Sequence, residues 1–428
     1  MTLRIAGRLG SLGTEGAFEV LARARALEAQ GRDIVHLEIG EPDFPTPDNI
    51  VEAAYAAIRD GATHYTPAAG IMEAREAVAR YVHKWTGATP VPQQVVMVPG
   101  SKNVLHFALL SLVEPGDEVI YPDPGYPIYH SLTQFVGAKP VPIPIRESND
   151  FRLDVEELRS LVTDRTRMLI VNTPANPTGG ALTRSDCEAI AELAQERDLV
   201  VLSDEIYGRL VYDGQHESLY SLPGMQERTI LMDGVSKAWA MCGWRLGWGV
   251  MPLELAPRFE KLMINTSSCA AAFTQMAAIE AFEAPESDRA VDMMRAEFKR
   301  RRDLLVEGLN RIPGVRCRLP VGAFYAFPNI EDTGWDERAL ADTLLTEAGV
   351  ACLWGTAFGD HGKGYLRFSY ANSVENLQLA LERFAAHLAA TPVRHADARQ
   401  DRGSPPTPAS AAGVRPHASV PPAPPPQA

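Results

Sequence analysis

The stretch 229-TILMDGVSKAWAMCGWRLGW-248 runs from an apolar strand pattern into one lysine and one arginine set among glycines. Lys237 follows the strand end, and Arg245 stands between Gly243 and Gly247. A lysine that attacks an aldehyde must be neutral part of the time, and a neighbouring cation with partial desolvation favours that form. An arginine offers a planar fork that suits a phosphate dianion and keeps its charge. In isolation the pair reads more simply as a loop lysine beside a surface arginine. The segments around it decide otherwise.

Working outward, short apolar runs recur, each ending in polar or glycine residues: VVMVPGS, EVIYPDP, RMLIVNTPANP, LVVLSDE, TILMDG and LGWGVM. Helical periodicity separates or precedes them over 17–30, 49–59, 72–86, 103–113 and 184–197, with a short strand expected at 34–39. Apolar strands with helical spacers predict an α/β fold with a largely parallel sheet covered on both faces. Ligands of such sheets sit beyond the carboxyl ends of the strands, so the polar residues there are the candidates. After Ser287 the pattern turns to longer helices with few strands, which predicts a second domain.

Asp204 ends a fully apolar run, where a carboxylate is costly to bury without a partner. A protonated pyridine nitrogen is such a partner, and Tyr207, three residues on, is placed to donate to a phenolate. A satisfied strand-end aspartate with a packed tyrosine is the plain alternative. Asn176 lies in a Pro-Asn-Pro-Thr-Gly type turn and reads equally as turn chemistry. Gly100-Ser101 before a helix start makes a phosphate site from free backbone N–H groups, although any helix cap looks similar. Tyr126 suits stacking on an aromatic ligand or simple core packing.

Composition narrows the classes. The formal net charge of −13, with scattered basic residues, disfavours nucleic acid and anionic membrane as partners. Five cysteines lie far apart without paired or metal-type spacing, which predicts reduced thiols, no metal and a cytoplasmic setting. The start of the chain has no secretory signal pattern; its two early arginines faintly resemble a transit peptide, but Glu15 and Glu19 follow soon, and no apolar run has the length of a membrane span. From Thr391 the Pro/Ala-rich segment buries too little apolar surface to offset its ordering entropy and is expected to be disordered.

In order along the chain, GEPDFPTP, HYTPAAGIMEAR, PGSKN, PGYPIY, NPTG, SDEIYG, SKAWAMCGWRLGW, GAFYAF and GYLRFSYA resemble the blocks of the class I/II aminotransferases of pyridoxal phosphate (PLP) fold type I, in the bacterial aspartate and aromatic branch. The likeness runs from about Ile34 to Arg383. It implies a large domain with a mostly parallel seven-stranded sheet and a smaller α+β domain. The expected division is 1–44 packing with the small domain, 45–288 the cofactor domain, 289–390 the small domain and 391–428 the tail. By resemblance Lys237 is the Schiff-base lysine and Arg245 the phosphate arginine, with Ser236 a lesser phosphate ligand. Ser101 and Lys102 supply backbone N–H groups to the phosphate. Tyr126 stacks on the ring, Asp204 pairs with its nitrogen, and Asn176 and Tyr207 contact its hydroxyl. Arg367 grips the substrate α-carboxylate, helped by Asn176 and the backbone at Gly40. Tyr65 reaches the phosphate of a neighbouring subunit, which implies a homodimer.

The implied activity moves the amino group of an L-amino acid to a 2-oxo acid, 2-oxoglutarate or pyruvate, by ping-pong kinetics. A PLP lyase or cyclising enzyme on the same scaffold is the alternative. A PLP-sensing regulator would need a DNA-binding domain before the first block, where only about thirty residues stand, and a nicotinamide dehydrogenase would need a strand leading into G-x-G-x-x-G. Lys102 matches a lysine that serves the distal carboxylate in some aspartate-specific relatives. Two departures bear on the substrate: Phe18 stands near where those relatives carry small hydroxyl residues, and Trp354 replaces a usual proline.

Overall fold

The computed structural model describes residues 3–391, so the expected tail beyond Thr391 lies outside the described residues. The first strand, β1 (Val35–His36), is shorter than the 34–39 expected from its apolar run. It pairs in parallel with a partner that is itself only two residues long, so the ladder ends there. The seven strands β2 (Val95–Val98), β3 (Glu118–Asp123), β4 (Lys139–Pro144), β5 (Thr166–Asn172), β6 (Val200–Asp204), β7 (Thr229–Gly234) and β8 (Gly247–Val250) form one sheet. Its order is β2-β8-β7-β6-β5-β3-β4, and β8 alone runs against its neighbours. The mostly parallel sheet is therefore as expected.

Period-two alternation divides the apolar side chains between two cores. Val95, Met97, Leu169, Val171, Val201 and Leu231 enter one, while Val96, Val98, Met168, Ile170, Leu202 and Ile230 enter the other. Helices cover both faces with apolar stripes at helical spacing. Met72–Thr86, for example, buries Ala74, Ala77, Val78, Tyr81 and Val82 and stops at Gly87, whose φ of 76° suits only a residue without Cβ. The helix Arg184–Glu196 starts on a reciprocal cap between Thr183 and Asp186.

β4 escapes a sequence reading because its segment is KPVPIP, and proline argues against a strand. The register resolves this. Lys139 and Ile145 donate their N–H groups to Asp117 and Asp123 on the β3 side, both at 2.8 Å. Pro140, Pro142 and Pro144 occupy the alternate positions, whose nitrogens point out from the sheet edge where no donor is needed.

Beyond the large sheet, β9 (Tyr325–Ala326), β10 (Val350–Ala351), β11 (Leu353–Trp354) and β12 (Leu366–Ser369) complete the strands. β11, β12 and β9 make a small antiparallel sheet, and β10 is the partner of β1. The helices Pro285–Asn310 and Val374–Ala390 are the longest, which fits the pattern read after Ser287.

Trp239 and Trp248, flanking the lysine-bearing loop, lock onto Tyr81 and Phe282. Phe282 lies 5.3, 5.3 and 5.0 Å from the rings of Tyr81, Trp239 and Trp248. Phe282→Ala removes the shared ring of this cluster, and urea unfolding should show a loss of about 3–5 kcal/mol.

Candidate active site

The chain doubles back between β7 and β8, with Gly234 paired to Gly247, and the connection carries Lys237 and Arg245 out beyond the carboxyl end of β7. β6 delivers Asp204 at its last position, and β5 ends beside it at Asn172, in register with Asp204. These residues line one cavity of about 480 Å³, together with Gly40, Ser101, Lys102, Tyr126, Asn176, Tyr207, Ser236 and Arg367. Of the residues given a cofactor or substrate role by resemblance, Tyr65 alone is not among those lining it, and it is 88% exposed.

At the floor, Asp204 is buried, and its Oδ2 accepts from the Tyr129 hydroxyl at 2.6 Å. Burial pushes its carboxyl from the ordinary 3.8 up to about 6, against the opposing pull of the Tyr129 and Ile206 hydrogen bonds. Lys237 Nζ stands over this region, donating to the Gly40 carbonyl at 2.6 Å, with Cys242 Sγ 3.9 Å away. The Tyr207 hydroxyl pairs with that of Tyr325 at 2.7 Å.

At one end, Ser101 stands at the N-cap position of the helix Lys102–Leu112 without a side-chain capping hydrogen bond, and the first N–H groups there have no partner within the helix. Gly100 has a φ of 80°, and a Cβ there would collide with the Arg245 guanidinium; one at Gly247 would strike the Ser101 backbone. Arg245 itself sits at φ 53°, a left-handed conformation that costs energy outside glycine and helps aim its side chain. Close glycine approach, a helix N-terminus and an arginine together make a site for a phosphate.

At the other end, Arg367 on β12 is buried with no carboxylate among its hydrogen-bond partners. It donates to Asn176 Oδ1 at 3.0 Å and to the Glu38 carbonyl, while its Nε has no partner. The guanidinium lies 4.5 Å from the Tyr325 ring centre and 4.8 Å from that of Phe358. Arg367 lines the cavity, and a buried guanidinium with no carboxylate partner calls for an anionic ligand.

Three residues of the site were not read from the sequence. Tyr129 is the second tyrosine of PGYPIY, and only the helix geometry turns it onto Asp204. Asn172 is a strand-end polar residue like Asp204, so the same rule would have found it; its amide holds the Asp204 carbonyl and the Asn176 N–H at 3.0 and 2.8 Å. Glu15 reaches in from before the first helix, and no local signal marks it. Of the two departures, Phe18 lines the cavity, whereas Trp354 is buried beneath the Arg338 guanidinium, 4.8 Å from its ring centre.

The model of the family "Aminotransferase class I and II" matches residues 32–384. The aromatic-amino-acid aminotransferase 2 of Thermococcus litoralis is 43% identical over 83% of this chain and 92% of its own. The aspartate aminotransferase of Pyrococcus abyssi is 42% identical over 82% and 91%. Among solved structures, Thermus thermophilus aspartate aminotransferase with maleate superposes with a TM-score of 0.87 at 38% identity, covering 90% of this chain and 100% of that one. The chain belongs to the class I and II aminotransferases. It is a PLP-dependent enzyme that transfers amino groups, and the transfer activities named in its relatives favour that reaction over elimination on the same scaffold.

The cavity fits this cofactor on its own evidence: a buried acid for a ring nitrogen, a lysine for an aldehyde and an N–H-rich turn with an arginine for a phosphate. For the cofactor-free protein the Asp204 shift has a definite sign. A raised folded pKa adds stability that is complete below 3.8 and lost as pH rises through about 6. Asp204→Asn should therefore gain about 3 kcal/mol relative to wild type between about pH 4 and about pH 8, measured by urea unfolding. A difference that stays flat with pH would place this carboxyl in the ordinary range.

Proposed function

We propose that Lys237, Asp204 and Arg367 divide the transfer reaction between three points of this cavity. The observation that carries the reading is one space holding a lysine amine, a buried carboxyl and a buried arginine with an unspent donor. When bound, pyridoxal phosphate supplies an aldehyde for the amino group and a ring that takes up the electron pair left when Cα loses its proton.

The chain's residues then have these tasks. Ser101 and Lys102, through backbone N–H groups, hold the phosphate with Ser236 and Arg245. Tyr126, which lines the cavity, would pack against the ring. Asp204 keeps the ring nitrogen protonated, its own charge balanced by that proton, and Asn176 and Tyr207 donate to the ring hydroxyl. Arg367 fixes the substrate carboxylate as a fork, with Asn176 and the Gly40 carbonyl region beside it. Lys237 would take the proton from substrate Cα onto Nζ and hold it for return, as base and then acid. The amino donor leaves as an oxo acid, and 2-oxoglutarate or pyruvate reverses the steps, which gives ping-pong kinetics.

Tyr65, exposed in the single chain, is assigned to the phosphate of a second copy, so the working enzyme is a homodimer with shared sites. Residues 45–288 form its cofactor domain, with 1–44 and 289–390 carrying Gly40 and Arg367 to the cavity. A cytoplasmic setting agrees with the five unpaired cysteines and with the lack, among the described residues, of a helix long and apolar enough to cross a membrane.

Borohydride reduction followed by peptide mass spectrometry should find the cofactor on Lys237. Lys237→Ala should lose that attachment and at least about 10³-fold in kcat; turnover near wild type would remove Lys237 from its role. Tyr65→Phe should weaken cofactor binding about tenfold, as loss of one charged hydrogen bond does, in a protein that sediments as a dimer.

A further inference from the structure

Glu15 lies where the chain enters its first helix, and it lines the same cavity. Its Oε1 is 2.5 Å from Lys102 Nζ and accepts from the Tyr126 hydroxyl at 3.0 Å. The amine also sits 5.6 Å from the centre of the Tyr126 ring. This segment is held further where Gly13 donates to Ser131 Oγ at 2.9 Å, and at Gly16 the Trp354 ring lies so near that an added Cβ would touch it at 3.5 Å. The pair therefore belongs to a strap fastened on both sides.

Four cations line the cavity among the described residues: Lys102, Lys237, Arg245 and Arg367. Under the function proposed above, Lys237 takes the aldehyde, Arg245 the phosphate and Arg367 the α-carboxylate. Lys102 alone remains for a distal carboxylate, and Glu15 already holds it. A second carboxylate entering here would reach Lys102 only in competition with Glu15, which already holds the amine. A cationic side chain would bring like charge against Lys102 and would have to share the Glu15 carboxylate with that amine and the Tyr126 hydroxyl. The surface left for a side chain is apolar, supplied by Phe18, Ile39, Leu353 and Phe358. Phe18 is 63% exposed at the cavity, an aromatic face with nothing yet packed over it.

We propose that the Glu15–Lys102 pair sets the substrate class: amino donors with uncharged apolar or aromatic side chains, which Phe18 covers, in preference to dicarboxylic or cationic ones. Of the two acceptors it favours pyruvate over 2-oxoglutarate, whose second carboxylate meets the same pair. The proposal rests on the reading in which Arg367 takes the α-carboxylate. It links the strap to selectivity: neutralising one lysine removes the attraction that would otherwise favour a diacid.

The test uses the PLP-loaded enzyme and three acids that lack an amino group and so cannot turn over: 3-phenylpropionate, maleate and 5-guanidinopentanoate, each titrated by calorimetry. Wild type should bind 3-phenylpropionate at least about tenfold more tightly than the other two. Glu15→Gln frees Lys102 and should move the ratio about tenfold toward maleate, and Phe18→Ala should weaken 3-phenylpropionate about fivefold. Equal or tighter binding of maleate or the guanidino acid to wild type, or a ratio unmoved by Glu15→Gln, overturns the proposal. Arg367→Ala reports separately on the underlying reading, because it should weaken all three acids alike. If it does not, the carboxylate assignment fails and the donor class falls with it.

Discussion

Asp204 reaches the end of β6 out of contact with water, and β6 is the middle strand of seven, covered on both faces. A carboxyl in that position must find donors, share a proton or pair with a cation, because an isolated buried charge is prohibitively costly. Tyr129 and the Ile206 N–H meet part of the demand. Burial nevertheless outweighs them and leaves the carboxyl with a raised proton affinity. Under the proposed assignment a protonated ring nitrogen would meet the rest of the demand, and the tension in the free protein would serve as a recognition element for the cofactor. The parallel topology brings the other groups to the same place: β5 delivers Asn172 alongside, and the return from β7 to β8 lifts Lys237 over the carboxyl.

Arg367 arrives from a different sheet, and its position is secured by distant chain. Its guanidinium is held by Asn176 from the turn after β5 and by the Glu38 carbonyl from the segment after β1. β1 is in turn fixed by β10. Pieces from three regions of the sequence therefore hold one fork, and the aromatic rings of Tyr325 and Phe358 on its flanks exclude water from it. The substrate-carboxylate role proposed for Arg367 would draw on this buried guanidinium, which has no carboxylate partner of its own.

The central sheet was legible because its strands are nearly all apolar and end in polar residues, a pattern that survives without knowledge of the partners. Lys237, Asp204 and Arg245 were legible for the same reason, since each follows a recognisable strand end or glycine turn. β4 was not, because its prolines contradict strand propensity and only the edge position makes them harmless. Tyr129 and Glu15 were not, because their importance lies in contacts 75 and 87 residues away. Trp354 was noticed as unusual, but whether it lined the cavity or propped the strap depended on packing that no local pattern encodes.

The prolines of β4 have a consequence for how copies of this chain can meet. That border of the sheet presents ring carbons where another strand would need N–H groups. At the opposite border, Met97 of β2 already gives its N–H to Ala69 at 2.9 Å. Neither margin offers an open ladder for a further chain to extend, which closes off runaway polymerisation by backbone pairing. Assembly is left to side-chain surfaces, and such surfaces can specify one partner in one orientation.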